Sequence, residues 1–436
     1  MTRFIGSALL FLLFWSCQEP KSGVDIPSPK KQAYPTSRST LSEEAYYDKV
    51  LGALVGSAIG DAMGASTEMW DRKDIQLKYG YLTHLTPAVR PRSAEGVWEN
   101  NLLPGATTDD TRWKMAMVKY LTQNKTDLNA EKFTDFIIDY YGSLTRSLSA
   151  TKHIPKTDFL DVQMEKIDWI KEWARVAMAF KKGNEEYLMA LNRFYGGEMS
   201  CAGQLYTPMF GLITETPEEA YSLAYKHALF DIGYAKDISS LVSAMTQMAL
   251  QTKNIDSIID TATFIDPIGY QDSRLVGRIP YSIAEASVKH IMSIRESVRT
   301  DSSALNDPRY RLPENFPGSR QEWIEQEMAY QFLEKDQKAI AFHSGEIWQI
   351  LVTALEFGEG DFEKTLQFIV NYGRDNDTVA AVAGMILGAK DGYSKLPPEL
   401  CAQVLKANKD HMGIDLQALA KELTGIDQPK QDLPDR

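Results

Sequence analysis

The stretch GALVGSAIGDAMGASTE, residues 52–68, has a glycine at every fourth position from Gly52 to Gly64. In an α-helix this spacing puts the four glycines on one face. Each glycine costs about 1 kcal/mol of helix stability relative to alanine, so the stripe needs a compensating contact, and close approach of another backbone is the usual one. The pattern predicts a helix with a bare face against which a second helix packs.

A second stretch supplies a matching face. Ala380, Gly384 and Gly388 again fall every fourth residue, within NYGRDNDTVAAVAGMILGA at residues 371–389. We expect these two helices, each with a face of small residues, to pack against each other at the centre of a bundle. Tight packing with no site nearby would produce the same pattern, and this alternative stays open at this point.

Apolar residues recur at helical spacing along most of the remaining chain. Two such sets are Trp113, Ala116, Met117, Tyr120 and Leu121, and Ile347, Ile350, Leu351, Ala354 and Leu355. Alternating apolar and polar runs are nearly absent. The fold is therefore predicted to be all-α, a single multi-helix domain at residues 42–430, with loops near 84–108, 150–160, 196–210, 265–280 and 300–320.

Composition excludes several functional classes. The 436 residues carry 47 Lys plus Arg and 59 Asp plus Glu, a net charge of −12, which argues against binding to nucleic acid. The three Cys and six His form no CxxC, HxH or HExxH arrangement, so a structural zinc site and a zincin are not expected. Neither a P-loop nor a Rossmann fingerprint occurs.

The amino-terminal segment is predicted to be an export signal. Residues 1–17, MTRFIGSALLFLLFWSC, have Arg3 before an apolar run too short to span a bilayer as a stable helix. Their ending resembles a bacterial lipoprotein signal, in which Cys17 becomes the lipidated first residue. We therefore expect an exported protein on the periplasmic or cell-surface side, anchored to the membrane through Cys17 only. A plain cleaved signal and a short membrane anchor are the alternatives. Residues 18–41 are rich in Pro and predicted to be a disordered tether.

Two acidic clusters precede apolar helices. Residues 108–111 read TDDT and residues 375–378 read DNDT. Helix capping accounts for one Asp in each cluster, but the second Asp is excess negative charge. If both helix starts face one cavity, four carboxylates converge and raise one another's pKa unless a cation neutralises them. Oxygen ligands of this kind suit Mg²⁺, Mn²⁺ or Ca²⁺ better than zinc, and four Asp with two Thr could hold two ions. Capping and a surface role remain the alternatives.

Taken together, these blocks resemble the ADP-ribosylglycohydrolase family. The resemblance rests on residues 52–68, on TDDT at 108–111 and on residues 371–389, with a weaker match in CAGQLYTPMFGL at 201–212. It implies an all-α fold with a dinuclear Mg²⁺ centre, Mn²⁺ being the alternative metal. It also implies hydrolysis of the bond at the anomeric carbon of ADP-ribose, or of a related α-riboside, in a small-molecule or protein-linked substrate.

The resemblance assigns roles residue by residue. The implied metal ligands are Thr108, Asp109, Asp110, Asp375, Asp377 and Thr378, and the implied catalytic residues are Glu68, Asp110 and Asp377. Glu68 matches an acidic residue that some members use near the anomeric carbon, and an exposed loop glutamate is the alternative. Asp61, inside the glycine-striped helix, is predicted to be a buried hydrogen-bonding carboxylate rather than a ligand.

Two positions depart from the family pattern. Arg374 stands where many members have Gly, and Asn376 where many have Thr. Three possibilities stay open for Arg374, which are a pair with a site carboxylate, a contact with a phosphate and a narrower pocket. Two other functions remain open: a non-catalytic surface lipoprotein that binds a nucleotide-like or sugar ligand, and a dinuclear phosphoester hydrolase, against which the absence of His ligands counts.

Overall fold

The computed structural model describes residues 38–90, 100–124, 127–149, 164, 166–301 and 305–425. The predicted export signal, residues 1–17, and most of the predicted tether lie outside the described residues. At the end of the tether segment, Arg38–Thr40 form a 3₁₀ turn, and the Ser39 backbone N–H donates to Glu215 Oε2 at 2.8 Å. Residues 34–436 form one compact unit.

Helices make up nearly all the regular structure of the part of the chain that is described, which confirms the all-α prediction. They are α1 Glu43–Gly64, α2 Arg72–Tyr79, α3 Asp109–Asn124, α4 Ala130–Ser149, α5 Lys171–Phe180, α6 Asn184–Phe194, α7 Pro208–Gly211, α8 Pro217–His227, α9 Ala235–Gln251, α10 Ile255–Phe264, α11 Ile279–Thr300, α12 Arg320–Glu334, α13 Ser344–Gly358, α14 Phe362–Tyr372, α15 Asn376–Asp391, α16 Pro398–Ala407 and α17 Leu416–Thr424.

The chain also forms short strands that the sequence did not predict. They are β1 Trp70–Asp71, β2 Ala88–Arg90, β3 Asn100–Leu102 and β4 Gly373–Arg374. Strand β1 pairs antiparallel with β4, and β2 pairs antiparallel with β3. Strands of two or three residues are too short to produce an alternating pattern, which is why periodicity missed them.

Helices α1 and α15 contact each other backbone to backbone. A Cβ atom added to any glycine of the α1 stripe would lie within 3.0 Å of a backbone atom on α15 or in the turn after it. At one end Gly52 meets Gly388, and at the other end Gly64 meets Asp377 at the start of α15. The two helices therefore run antiparallel, and the predicted close approach of two bare faces is confirmed.

Burial explains why this pair forms the centre of the molecule. Every residue of α1 from Val50 to Gly64 is buried, and so is every residue of α15 from Asn376 to Lys390. Helices that are apolar and buried on all sides belong to the core of a large domain. The end of α1 and the start of α15 are consequently fixed beside each other.

Among the described residues, no helix combines the length and the apolar character that crossing a bilayer requires. Cys201 and Cys401 are both buried, and each is a free thiol, so they do not form a disulfide with each other.

The close contact predicts the effect of adding a single methyl group. Gly60→Ala or Gly384→Ala should lower the free energy of unfolding by about 2 kcal/mol or more, because the new Cβ meets backbone of the facing helix and the gain in helix propensity is smaller. Chemical denaturation measures this change. The matched control is Gly425→Ala, since Gly425 has φ −73° and no atom within 4 Å of the added Cβ. Equal stability of all three variants would contradict the backbone contact.

Candidate metal centre

Asp61 of α1 holds the start of α3. Its Oδ1 accepts hydrogen bonds from the Thr108 backbone N–H at 2.9 Å and from Thr108 Oγ1 at 3.0 Å. Its Oδ2 accepts from the Thr111 backbone N–H at 3.0 Å and from Thr111 Oγ1 at 2.6 Å. Burial, followed by the charge of Asp110, raises the pKa of Asp61 to about 7, although these hydrogen bonds oppose the shift. The prediction that Asp61 is a buried hydrogen-bonding carboxylate is confirmed.

Asp110 connects α3 to α15. It is 1% exposed; its Oδ1 lies 3.0 Å from Lys114 Nζ, and its Oδ2 accepts a hydrogen bond from Thr378 Oγ1 at 3.0 Å. Thr108 Oγ1 also lies 3.4 Å from Asp377 Oδ2. The two acidic clusters, which are far apart in the sequence, therefore lie side by side, as the sequence predicted.

Helix capping does not explain the carboxylates of the second cluster. Asp375 is the N-cap residue of α15, but its side chain makes no capping hydrogen bond. Asp375 and Asp377 are 4% and 2% exposed. Cys201 Sγ donates to Asp375 Oδ2 at 3.6 Å, whereas Asp377 Oδ1 is buried without a hydrogen-bond partner. A water molecule or a cation would satisfy a buried carboxylate oxygen of this kind, because no donor among the described residues reaches it.

Glu68 joins these two aspartates from the turn after α1. The Met69 backbone N–H donates to the Arg374 carbonyl at 2.7 Å, and Trp70 pairs with Arg374 in the β1–β4 ladder. Asn376 Nδ2 donates to Thr67 Oγ1 at 2.8 Å and ties the same turn to α15.

The result is a compact trio of carboxylates, Glu68, Asp375 and Asp377. One oxygen from each lies within 4.8 Å of the other two. Glu68 is half-buried and both aspartates are buried, so the trio is reached from the Glu68 side. Glu68 is thus half-buried beside the two aspartates, and the alternative of an exposed loop glutamate does not describe it.

The electrostatics of the trio favour a cation. Burial, followed by the Glu68 charge, raises the pKa of Asp375 to about 8 and raises the pKa of Asp377 well above its usual value. Burial and the Asp375 charge also raise the pKa of the Cys201 thiol, which keeps it neutral and a poor metal ligand. The donors are therefore oxygens only, and an oxygen-only set with an unpartnered buried atom fits Mg²⁺ or Mn²⁺.

The remaining predicted residues lie around the trio. Asp109 begins α3, is half-buried, and its charge contributes to the raised pKa of Asp375. Thr108 and Thr378 bridge the two clusters through the hydrogen bonds described above. The structure thus brings all seven predicted site residues to one place.

Arg374 does not join the site. Its Nε lies 2.5 Å from Glu346 Oε1, and its Nη2 donates to the Lys338 carbonyl at 2.8 Å. Of the three possibilities, the pair with a site carboxylate is not formed, because Glu346 of α13 is the partner of Arg374. Arg374 has φ +64°, a conformation that favours glycine, so the pair with Glu346 holds a residue whose backbone is strained.

Two residues at the site were missed by the sequence reasoning. Lys114 follows Asp110 by four positions on α3, a spacing that predicts an ion pair on a helix face. Cys201 carried no signal beyond its place in the weak block 201–212, because its contact with Asp375 spans 174 positions of the chain.

Comparisons with known proteins agree on one family. A family model described as ADP-ribosylglycohydrolase matches residues 42–432. The uncharacterized protein YegU of Escherichia coli (strain K12) is 20% identical over 381 residues, which cover 86% of this chain and 97% of that protein. The ADP-ribosyl-(dinitrogen reductase) glycohydrolase of Rhodospirillum rubrum is 34% identical over 86 residues, which cover 20% of this chain and 26% of that protein.

A solved structure is also similar. It is described as an ADP-ribosylglycohydrolase-related protein complex, with 17% sequence identity and a TM-score of 0.46. The alignment covers 88% of this chain and 100% of that chain.

The raised pKa of Asp377 predicts an unusual stability effect. In metal-free protein, Asp377→Asn should increase the free energy of unfolding at pH 7 by about 1 kcal/mol or more, because it removes a carboxyl group whose ionisation the folded interior opposes and the unfolded chain does not. A carboxyl whose pKa is higher in the folded state destabilises the fold above its ordinary pKa, near 4. The gain should therefore be small at pH 4 and should grow toward pH 8.

Denaturation in the presence of a chelator measures this effect, and Asp231→Asn is the control. Asp231 is also buried with a raised pKa, but it accepts hydrogen bonds from the Gly203 N–H at 2.7 Å and from Ser239 Oγ at 2.6 Å. An amide keeps the Gly203 hydrogen bond through its oxygen and donates its NH₂ group to Ser239 Oγ, so the free energy of unfolding should change by about 1 kcal/mol or less. Destabilisation by Asp377→Asn would contradict the assignment of Asp377.

Proposed function

The chain belongs to the ADP-ribosylglycohydrolase family, and on that premise we propose that it is a divalent-cation-dependent hydrolase that cleaves the bond between the anomeric carbon of ADP-ribose, or of a related α-riboside, and its acceptor. The observation that carries the proposal is the meeting of Glu68, Asp375 and Asp377 around a carboxylate oxygen that has no partner. A hydrolase is the activity to which the family membership points.

The proposed metal ligands are those of the sequence analysis. Thr108, Asp109, Asp110, Asp375, Asp377 and Thr378 are the oxygen donors available to Mg²⁺ or Mn²⁺, with Glu68 beside them. A bound divalent cation would supply Lewis acidity, which polarises oxygen atoms of a substrate ribose and of water. Hard oxygen donors favour Mg²⁺, and Mn²⁺ accepts the same set.

The side chains of the trio have distinct tasks in this proposal. Glycosidic bonds break through an oxocarbenium-like transition state, in which positive charge develops on the ribose ring. Buried Asp375 and Asp377 would hold the cation that binds the ribose. Glu68, half-buried on the open side of the trio, is placed to give a proton to the leaving atom or to take one from water.

An activity assay tests the proposal. The purified protein with Mg²⁺ or Mn²⁺ should release ADP-ribose from ADP-ribosyl-arginine, ADP-ribosyl-serine or another α-riboside, and a chelator should stop the reaction. Glu68→Gln should lower kcat by about 10²–10⁴-fold because it removes the proton-transferring carboxyl. Asp377→Asn should abolish turnover, and Glu363→Gln, a surface change on α14, should leave it unaltered.

Other outcomes of the same assay would support the other functions. Tight binding of ADP-ribose or a sugar without turnover of any α-riboside would support the non-catalytic binder. Release of AMP in place of ADP-ribose would support the phosphoester hydrolase. Full activity of Asp377→Asn would contradict the proposed centre.

We also propose that the protein is exported and anchored to a membrane through a lipidated Cys17. The support is the sequence of residues 1–17, with Arg3, a short apolar run and a terminal Cys. A substrate outside the cytoplasm would then be a released or surface-linked α-riboside.

Fractionation tests the anchor. In the bacterial host, the natural chain should be found with membranes and should incorporate a labelled fatty acid. Cys17→Ser should lose the label and the membrane association, because the acyl attachment site is gone. Ser16→Ala, which keeps the Cys, is the control and should behave as the natural chain. An unlabelled natural chain in the soluble fraction would contradict the anchor.

A further inference from the structure

Glu346 of α13 joins Arg374 to the loop that precedes α13. The glutamate is 2% exposed, and its Oε1 lies 2.5 Å from Arg374 Nε. Its Oε2 accepts hydrogen bonds from Arg374 Nη2 at 3.0 Å and from the Lys338 backbone N–H at 2.6 Å. Arg374 Nη2 also donates to the Lys338 carbonyl at 2.8 Å. The arginine side chain is therefore held at both of its bonded nitrogens.

The backbone of Arg374 connects two carboxylates of the trio. Its carbonyl accepts the Met69 N–H, directly after Glu68, at 2.7 Å, and the next residue along the chain is Asp375. Its φ of +64° is costly for every residue type except glycine. If Arg374 relaxed to a negative φ, the peptide group that receives the Met69 hydrogen bond and leads into Asp375 would turn. The conformation of Arg374 therefore sets the spacing of Glu68 and Asp375.

The loop before α13 also reaches Asp375 from a second direction. The Phe342 carbonyl accepts the Cys201 backbone N–H at 2.9 Å, and Cys201 Sγ donates to Asp375 Oδ2 at 3.6 Å. Residues 338–346 thus support Asp375 through the residue that precedes it and through the thiol that contacts it.

We propose that Glu346 is a positioning residue for the candidate metal centre. By pairing with Arg374, it holds that residue in the left-handed conformation and so keeps Glu68 and Asp375 at the spacing at which they bind a divalent cation. The inference rests on the proposed function. Glu346 acts here through the backbone of Arg374 and not as a ligand, and a glycine at position 374 would need no such partner.

The Mn²⁺ affinity of the full chain tests the inference, measured from the electron paramagnetic resonance signal of unbound Mn²⁺. Glu346→Gln keeps an oxygen for the Lys338 N–H, but its NH₂ group and the Arg374 guanidinium are both donors, so the pair is lost. Affinity should fall about tenfold, because the strained residue is then free to relax.

A second substitution at position 374 shows whether Glu346 acts through that conformation. Glycine adopts a positive φ without a partner, so Glu346→Gln combined with Arg374→Gly should bind Mn²⁺ with affinity within about threefold of the natural chain. Alanine keeps the conformational cost, so Glu346→Gln combined with Arg374→Ala should bind as weakly as Glu346→Gln alone. A merely structural role of Glu346 would not be rescued by glycine at another position.

Amide hydrogen exchange provides a readout that needs no metal. In protein prepared without divalent cations, the Met69 N–H should exchange at least about tenfold faster in Glu346→Gln, and Arg374→Gly should restore its protection. The matched control is Glu356→Gln, on the same helix, which loses a pair with Arg295 at 3.6 Å. It should leave both the Mn²⁺ affinity and the Met69 exchange unaltered.

The outcomes separate this inference from the proposed function. Natural Mn²⁺ affinity or natural Met69 exchange in a folded Glu346→Gln would overturn it, and so would equal rescue by glycine and alanine. If Glu346→Gln does not fold, Arg374→Ala and Arg374→Gly in the natural background decide, since only the alanine should weaken Mn²⁺ binding. No Mn²⁺ on the natural chain would overturn the proposed metal-dependent function, and Met69 exchange would still show whether Glu346 holds the backbone beside Glu68.

Discussion

The site depends on the backbone contact between α1 and α15. Without side chains on the facing stripes the two helices approach closely, and their antiparallel direction brings the end of α1 to the start of α15. Four glycines in one helix cost about 4 kcal/mol in helix propensity, so burial and dispersion along the whole contact must offset that cost. At the opposite end, Lys49 Nζ donates to the Ala389 and Lys390 carbonyls at 2.9 and 3.0 Å and caps α15.

The contact between α1 and α15 places buried carboxylates close to one another. Asp61, Asp110, Asp375 and Asp377 are all nearly inaccessible to solvent, and a fold selected only for stability would not place them there. The molecule compensates two of them, Asp61 by four donors and Asp110 by Lys114 and Thr378. It leaves one buried oxygen of Asp377 without a hydrogen-bond partner, and such an exception is typical of a site that trades stability for ligand binding.

The sequence predicted those parts of this arrangement that produce a pattern within a short stretch of residues. The four-residue glycine spacing predicted the helix pair, and the doubled aspartates at two helix starts predicted the converging clusters. The oxygen-only composition predicted the class of metal, although no pattern could show that Asp377 Oδ1 has no partner.

Contacts between residues far apart in the chain could not be predicted, because no pattern within a short stretch of sequence indicates them. Glu68 reaches Asp375 because a two-residue ladder joins β1 to β4 and because Asn376 binds Thr67, contacts that span about three hundred positions. Glu346 as the partner of Arg374 is of the same kind, since nothing in either local sequence marks the other.

The backbone around the trio holds its carboxylates in place. Met69 follows Glu68 and Arg374 precedes Asp375, and these two residues have φ of +63° and +64°, in a region that costs a non-glycine residue about 1 kcal/mol or more. The Met69–Arg374 hydrogen bond and the Arg374–Glu346 pair fix both strained residues. Backbone strain held next to Glu68 and Asp375, beside a rigid helix pair, is a property of a preformed site, and an ion that bound such a site would not need to reorder the chain.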